Sequence, residues 1–321
     1  MTARRRVLFI GGSLNQTTQM HQVARELAEW DQAFSPYYVD GVLEIARRAG
    51  LAEFTIVGDK LRARCMGYLE SHRLPVDVGG RRGPYDLVVT CSDLVIPKNI
   101  RGRRVVVVQE GLLDQAKLAF RLCRALPVLP MWLAGTSTTG LSRRYDRFCV
   151  ASDGYREWFV SHGVPSERIA VTGIPNFDDC VRYTKTGFPH RGFVLVCSSV
   201  ARETFKRHDR EAFLARCLAF AAGRPLIFKL HPNENVERAE QEIRRVAPEA
   251  PIFRTGSAEE MIACCDVLVT QYSSTALVGL ALGKEVHADV DMESLRRLVP
   301  VQDGGAARRI AAVCREVAGA A

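Results

Sequence analysis

Short apolar runs alternate with longer amphipathic ones from end to end of the chain. The runs RVLFIG (Arg6–Gly11), FSPYYV (Phe34–Val39), EFTIV (Glu53–Val57), YDLVVT (Tyr85–Thr90), RRVVVVQ (Arg103–Gln109), RFCVAS (Arg147–Ser152) and RIAVTG (Arg168–Gly173) predict strands. Between them, apolar positions recur at helical spacing over Thr17–Trp30, Lys60–His72, Asp114–Ala125 and Asp153–His162. Strands this rich in Val and Ile are buried on both faces, and helical crossovers between them indicate a parallel α/β sheet.

The pattern then restarts. GFVLVCSS (Gly192–Ser199), PLIFKLH (Pro225–His231), PIFR (Pro251–Arg254), DVLVT (Asp266–Thr270) and KEVHA (Lys284–Ala288) predict a second set of strands. Their helices span about Asp209–Ala222, Val236–Ala247, Ala258–Cys264 and Ser274–Leu282. Ile174–Arg191, with Pro175, Gly187 and Pro189, reads as the linker, so the expected domains are residues 1–180 and 181–321 with a hinge at about 173–191. A last amphipathic helix, Ala306–Ala318, can pack on either domain.

Composition agrees with two globular domains. The chain has 321 residues, 47% hydrophobic and 25% charged, against roughly 100–200 residues per domain. VLFI near the N-terminus is shorter than the roughly 7–15 residues of a secretory h-region, and Ala276–Leu282 falls short of the ~20 of a membrane span. These lengths predict a soluble, cytoplasmic protein. The ten cysteines form no CxxC and no spaced Cys/His set, the distribution of buried free thiols, and no metal site is expected. The net charge of +8 comes largely from arginines in loops and at strand edges: Arg4–Arg6, Arg81, Arg82, Arg101, Arg103, Arg104, Arg143 and Arg144. Such a surplus favours anionic partners or is a set of solvated faces. Nucleic acid is not expected, because the arginines are not interleaved with aromatics and no binding motif is present.

Candidate chemistry concentrates in the last third. LIFKLHPNEN (Leu226–Asn235) ends a strand in a histidine, and Asp266–Val286 reads as strand, two-serine turn, helix. Ligands of open parallel sheets bind outside the carboxyl ends of the strands, where a starting helix aims N–H groups at an anion. His231, Lys229, Asn233, Glu234, Tyr272, Ser273 and Ser274 are therefore candidates for a phosphorylated ligand. Loop capping accounts for His231, and helix capping for Asn233, Glu234 and the serines, equally simply. Ser198 and Ser199 occupy the first strand-to-helix turn of the second domain, with Arg202 and Lys206 following. Gly12, Ser13 and His21 lie in or just beyond the equivalent turn of the first domain, which satisfies neither G-x-G-x-x-G nor a P-loop. Lys284 and His287 are weaker candidates. Asp289-Val290-Asp291 lies beyond a late strand and reads as a solvated turn.

TGIPNFD (Thr172–Asp178), His231-Pro232 and the Asp266–Ser274 block together resemble the GT-B superfamily of nucleotide-sugar enzymes. Within it they are most similar to CDP-glycerol glycerophosphotransferase-like and capsule polysaccharide transferases. The resemblance implies two doubly wound, Rossmann-like parallel-sheet domains facing across a cleft. The N-terminal one is the acceptor side (Gly12, Ser13, His21), Gly173, Pro175 and Asn176 the hinge, and the C-terminal one binds the nucleotide donor. It implies a metal-independent transferase without cofactor, moving a sugar or glycerol phosphate onto a glycan or lipid-linked acceptor in cell-envelope polysaccharide synthesis. Where the group carries a basic histidine after its fifth strand, this chain has Gln109-Glu110-Gly111, so Glu110 is the expected base and His231 its catalytic partner. UDP-N-acetylglucosamine 2-epimerases are similar in layout, and a non-catalytic nucleotide-sugar-binding subunit is the third reading. Asp114–Gly135, basic and then apolar, fits peripheral contact with the inner face of the membrane, or core packing.

Overall fold

Among the described residues the Val/Ile-rich runs form two sheets in which every strand is parallel to its neighbours. The computed structural model describes residues 4–51, 53, 55–112, 138–199, 209–232, 234–271 and 273–319. The chain divides into unit 1, Met1–Asp178 with Asp303–Ala321, and unit 2, Asp179–Gln302. Arg202, Asn233, Tyr272, the helix predicted over Asp114–Ala125 and the membrane-contact segment Asp114–Gly135 lie outside the described residues. No helix of the described residues is long and apolar enough to cross a membrane.

In unit 1, β1 (Arg6–Gly11), β2 (Asp31–Pro36), β3 (Leu87–Thr90), β4 (Arg104–Val108), β5 (Arg147–Val150) and β6 (Ile169–Val171) form a sheet in the order β2-β1-β3-β4-β5-β6. Successive strands lie on opposite sides of β1, so the topological switch point falls between β1 and β3. Helices α1 (Leu14–Arg25), α2 (Val42–Arg48), α3 (Asp59–Ser71) and α4 (Asp153–Ser161) belong to this unit. α1 starts three residues before its apolar periodicity because Ser13 caps it, its hydroxyl accepting from Gln16 N.

Unit 2 contains β7 (Val194–Cys197), α5 (Arg210–Ala221), β8 (Leu226–Lys229), α6 (Val236–Val246), β9 (Ile252–Phe253) and α7 (Ala258–Cys264). It continues with β10 (Val267–Thr270), α8 (Thr275–Ala281), β11 (Glu285–His287) and α9 (Met292–Arg297). The strand order is β11-β10-β7-β8-β9, which puts its switch point between β7 and β10. Val194, Val196, Phe213, Leu214, Phe228, Ile243, Val267 and Val269 form the core of this unit.

The last helix, α10 (Ala306–Gly319), belongs to unit 1. Its buried face, Ile310, Ala311, Cys314 and Val317, joins the cluster that includes Val7, Phe9, Met20, Val89 and Val106. Burying an aliphatic side chain of this size contributes about 1.5–3 kcal/mol, so α10 is part of the core and not an appendage.

One expectation from the sequence needs correction. Glu53 and Thr55–Val57 lie in turns, not in a strand. The outer edge of β2 is already taken by Pro75–Asp77: Phe34 N donates to Pro75 O and Asp77 N to Phe34 O, both at 2.8 Å. Glu53 instead accepts from Asp59 N at 3.1 Å, at the start of α3. Asp178, the last residue of TGIPNFD, caps the last helix: its carboxylate accepts from Ala306 N at 2.7 Å and its carbonyl from Gly304 N at 2.9 Å.

Candidate functional site

The polar residues of unit 2 gather at its switch point. Ser198 and Ser199 follow β7, Gln271 and Ser273 follow β10, and His231 follows the neighbouring β8 by two residues. Local bonds link these strand ends. Ser198 Oγ accepts from His231 N at 3.0 Å and donates to Glu234. Ser199 Oγ donates to Gln271 Oε1 at 2.6 Å across the switch point, and Thr270 Oγ1 donates to Cys197 O at 3.0 Å just beneath.

Glu234 is buried, with Arg210 at 3.6 Å; Arg210 in turn lies 3.3 Å from Glu242. Its carboxylate therefore braces the Ser198 turn from inside. The cap of α6 is Asn235 and not Glu234; its side chain accepts from Arg238 N at 3.0 Å. Lys229 is buried, which pulls its ammonium below the usual lysine range. It donates to Leu230 O at 3.1 Å and Arg254 O at 3.4 Å, tying β8 to the segment after β9. Ser273 Oγ accepts from Thr275 Oγ1 at 2.9 Å and Thr275 N at 3.3 Å, while Ser274 precedes α8 with no side-chain cap bond. His287 stacks on Phe220 at 3.8 Å and pairs with Glu285, Asp289 pairs with Arg216 at 2.6 Å, and Asp291 caps α9.

Unit 1 builds a second polar cluster at its own switch point. Glu110 follows β4 by two residues and reaches the first turn of α1. Its Oε1 accepts from Ser13 Oγ at 2.7 Å and Asn15 Nδ2 at 3.4 Å, its Oε2 from Gln16 Nε2 at 2.5 Å, and its carbonyl from Gln19 Nε2 at 2.9 Å. Gln16 is held in turn by Gly12 N, which donates to its Oε1 at 2.7 Å. Gln109, 1% exposed, fastens the ends of β4 and β5 by accepting from Ala151 N at 3.0 Å.

The sequence reading missed Asn15, Gln16 and Gln19. Gln16 and Gln19 are 3% and 0% exposed, and the signal was the run LNQTTQMHQ, polar residues on a helix that must pack against a sheet.

The expected hinge residues all lie in unit 1. Gly173 has φ +79, and Asn176 donates to Asn15 O at 2.9 Å and accepts from Gln22 Nε2 at 2.6 Å. His21 lies apart from the Glu110 cluster, between α1 and α3, with Nδ1 3.0 Å from Tyr68 Oη. Burial above all, then the charges of Arg25 and His72, hold its imidazole below the usual value.

No protein-family model matches the chain, and no curated protein matches it. Solved structures do match in fold. One is the wall teichoic acid polymerase TagF soaked with CDPG: 12% identity, TM-score 0.55, covering 98% of this chain and 88% of that one. Another is a S. aureus MnaA–UDP structure: 12% identity, TM-score 0.58, covering 97% and 96%. A third is the UDP-GlcNAc 2-epimerase from Neisseria meningitidis bound to UDP-GlcNAc: 11% identity, TM-score 0.55, covering 97% and 98%. The chain has a GT-B-like fold, and its described residues form two parallel sheets of six and five strands.

Proposed function

We propose that this chain is a GT-B-type transferase that moves a sugar or a glycerol phosphate from a nucleotide-activated donor to a hydroxyl acceptor. The observation that carries this reading is the convergence of Ser198, Ser199, Gln271, Ser273 and His231 on three adjacent strand ends of unit 2, at the β7/β10 switch point. That is where an open parallel sheet takes a nucleotide. The similar folds include proteins solved with CDPG, UDP and UDP-GlcNAc, which supports a nucleotide-activated donor.

In this reading unit 2 holds the donor. His231 donates to the phosphate that leaves, and the hydroxyls of Ser273 and Ser274 hydrogen-bond its oxygens. Glu110 on unit 1 takes the proton of the acceptor hydroxyl. The freed oxygen forms its bond to the transferred carbon or phosphorus, and the electrons of the broken bond leave with the nucleotide. The single bond to Oε2 among the described residues leaves that oxygen a lone pair for the acceptor.

The test is thermal shift with CDP-glycerol and UDP-, GDP- and CMP-linked sugars, followed by turnover of the stabilising donor against glycan and lipid-linked acceptors. A donor that binds the folded state raises its apparent stability. Failure of every donor to stabilise the protein would reject the proposal. The epimerase reading is supported by the likeness to the Neisseria meningitidis enzyme and is decided by UDP-GlcNAc alone: epimerised sugar or free UDP without acceptor establishes it. Tight donor binding with no turnover points to a binding subunit.

A further inference from the structure

The arginines that raise the net charge are not spread evenly over unit 1. Five of them, Arg101, Arg103, Arg143, Arg144 and Arg168, line one concavity of about 530 Å³, over a floor that includes Ile96, Ile100, Val105 and Tyr145. The place is fixed by the sheet. Arg103 immediately precedes β4, Arg143 and Arg144 lead into β5, and Arg168 immediately precedes β6. Parallel strands put all of these at the amino-terminal edge, whereas Glu110 and Ser13 lie at the carboxyl edge. At about 3.3 Å per residue the two edges are roughly 15 Å apart, so this concavity is separate from the candidate site.

Among the described residues its charge is not neutralised from within. The one carboxylate lining it among the described residues, Asp146, accepts from Val105 N at 2.7 Å. Among the described residues none of the five arginines forms a salt bridge, whereas the adjacent Arg147 pairs with Glu316 at 2.7 Å. The arrangement is also held in place. Arg168 Nη1 donates to Arg143 O at 2.9 Å and to Tyr145 O at 3.5 Å, and Arg101 Nε donates to Ile96 O at 3.1 Å, each bonding through one nitrogen of a five-donor guanidinium. Arg143 has φ +57, a left-handed conformation costing a non-glycine residue about 1–2 kcal/mol. Left-handed residues that persist in spite of that cost concentrate at ligand clamps.

We infer that this concavity is a second anion site, built for a compact ligand with two or more phosphate groups. Planar guanidinium forks match phosphate oxygens two at a time, and the volume falls within the roughly 300–1,000 Å³ of small-ligand pockets. A single carboxylate or sulfate would engage only part of such a cluster.

The experiment is isothermal titration of the full chain with inorganic pyrophosphate, using three variants. Arg143→Glu/Arg144→Glu changes two exposed side chains at the site. Lys60→Glu/Lys185→Glu makes the same change in net charge elsewhere on the surface. His231→Ala removes the proposed donor contact in unit 2. Binding should weaken roughly tenfold or more in the arginine variant, and persist in the lysine and histidine variants. The inference is overturned if wild type binds no pyrophosphate, if the arginine variant binds like wild type, or if the lysine variant loses as much affinity. Loss only in His231→Ala would assign the bound pyrophosphate to the donor site instead. Phosphatidylcholine vesicles with and without phosphatidic acid separate the sources of phosphate. Sedimentation with phosphatidic acid that depends on Arg143 and Arg144, without pyrophosphate binding, would make the patch a membrane contact and overturn the inference.

Discussion

The Ser13 hydroxyl donates to the Glu110 carboxylate at 2.7 Å and accepts from Gln16 N at 3.1 Å, so one side chain both caps α1 and orients the carboxylate after β4. Gln16 closes the arrangement by donating to the other oxygen of Glu110. Side chains held on both sides in this way keep a reacting group in one geometry, the condition for proton transfer to a bound hydroxyl.

If Glu110 is the base, Glu110→Gln keeps the shape, loses the proton acceptor and lowers kcat by about 100- to 10,000-fold, with donor affinity nearly unchanged. His231→Ala should instead weaken donor binding and turnover together, because its partner is the leaving phosphate. Donor titration by calorimetry alongside initial rates separates the two. A Glu110→Gln enzyme that turns over at the parent rate removes the residue from the mechanism.

Gly12 has no room for a side chain. A methyl there would stand 2.8 Å from Gln16 Oε1 and 2.9 Å from Ile56 Cβ. Gly12→Ala should therefore push Gln16 off Glu110, costing about 1–3 kcal/mol of stability and lowering kcat more than donor affinity. Urea unfolding and steady-state rates on one preparation check both effects. An unaltered midpoint with an unaltered rate would mean that Gln16 does not position Glu110.

Asp178 closes unit 1 by capping a helix that starts 128 residues later in the chain. Asp178→Ala should destabilise the protein by about 0.5–2 kcal/mol, the usual cost of losing a capping side chain, and Asp178→Asn by less, because an amide oxygen still accepts from Ala306 N. Urea midpoints of the two variants should fall in that order.

His21 predicts a pH dependence. Burial first, then Arg25 and His72, lower its folded value below 6.5. The unfolded chain then takes the proton more readily, so stability rises with pH. The contribution is complete above the unfolded value and is lost as pH falls through the lowered folded one. His21→Gln should flatten the stability curve between about pH 7 and pH 5, and an imidazole NMR titration of the parent should show a midpoint below that of a free histidine. A midpoint at or above the free value contradicts the assignment.

Much of this was legible in the sequence where the physics is local. Alternation of Val/Ile-rich runs with amphipathic stretches gave the parallel strands and most helices, and α7 lies over the same residues as predicted. The turn EFTIV was misread because a short run with Phe, Ile and Val around a β-branched Thr satisfies a strand pattern whether or not a sheet edge is open to it. Here Pro75–Asp77 had already filled that edge.

By itself the sequence determined that Ser198, His231 and Ser273 stand at strand ends, since strand and turn signals lie within a few residues of each. Only the tertiary structure decided which strand ends are neighbours. It set Ser199 beside Gln271, Glu110 beside Ser13 and five arginines around one concavity. Strand order arises from how the whole chain crosses over and packs, and no local hydrophobic period encodes it.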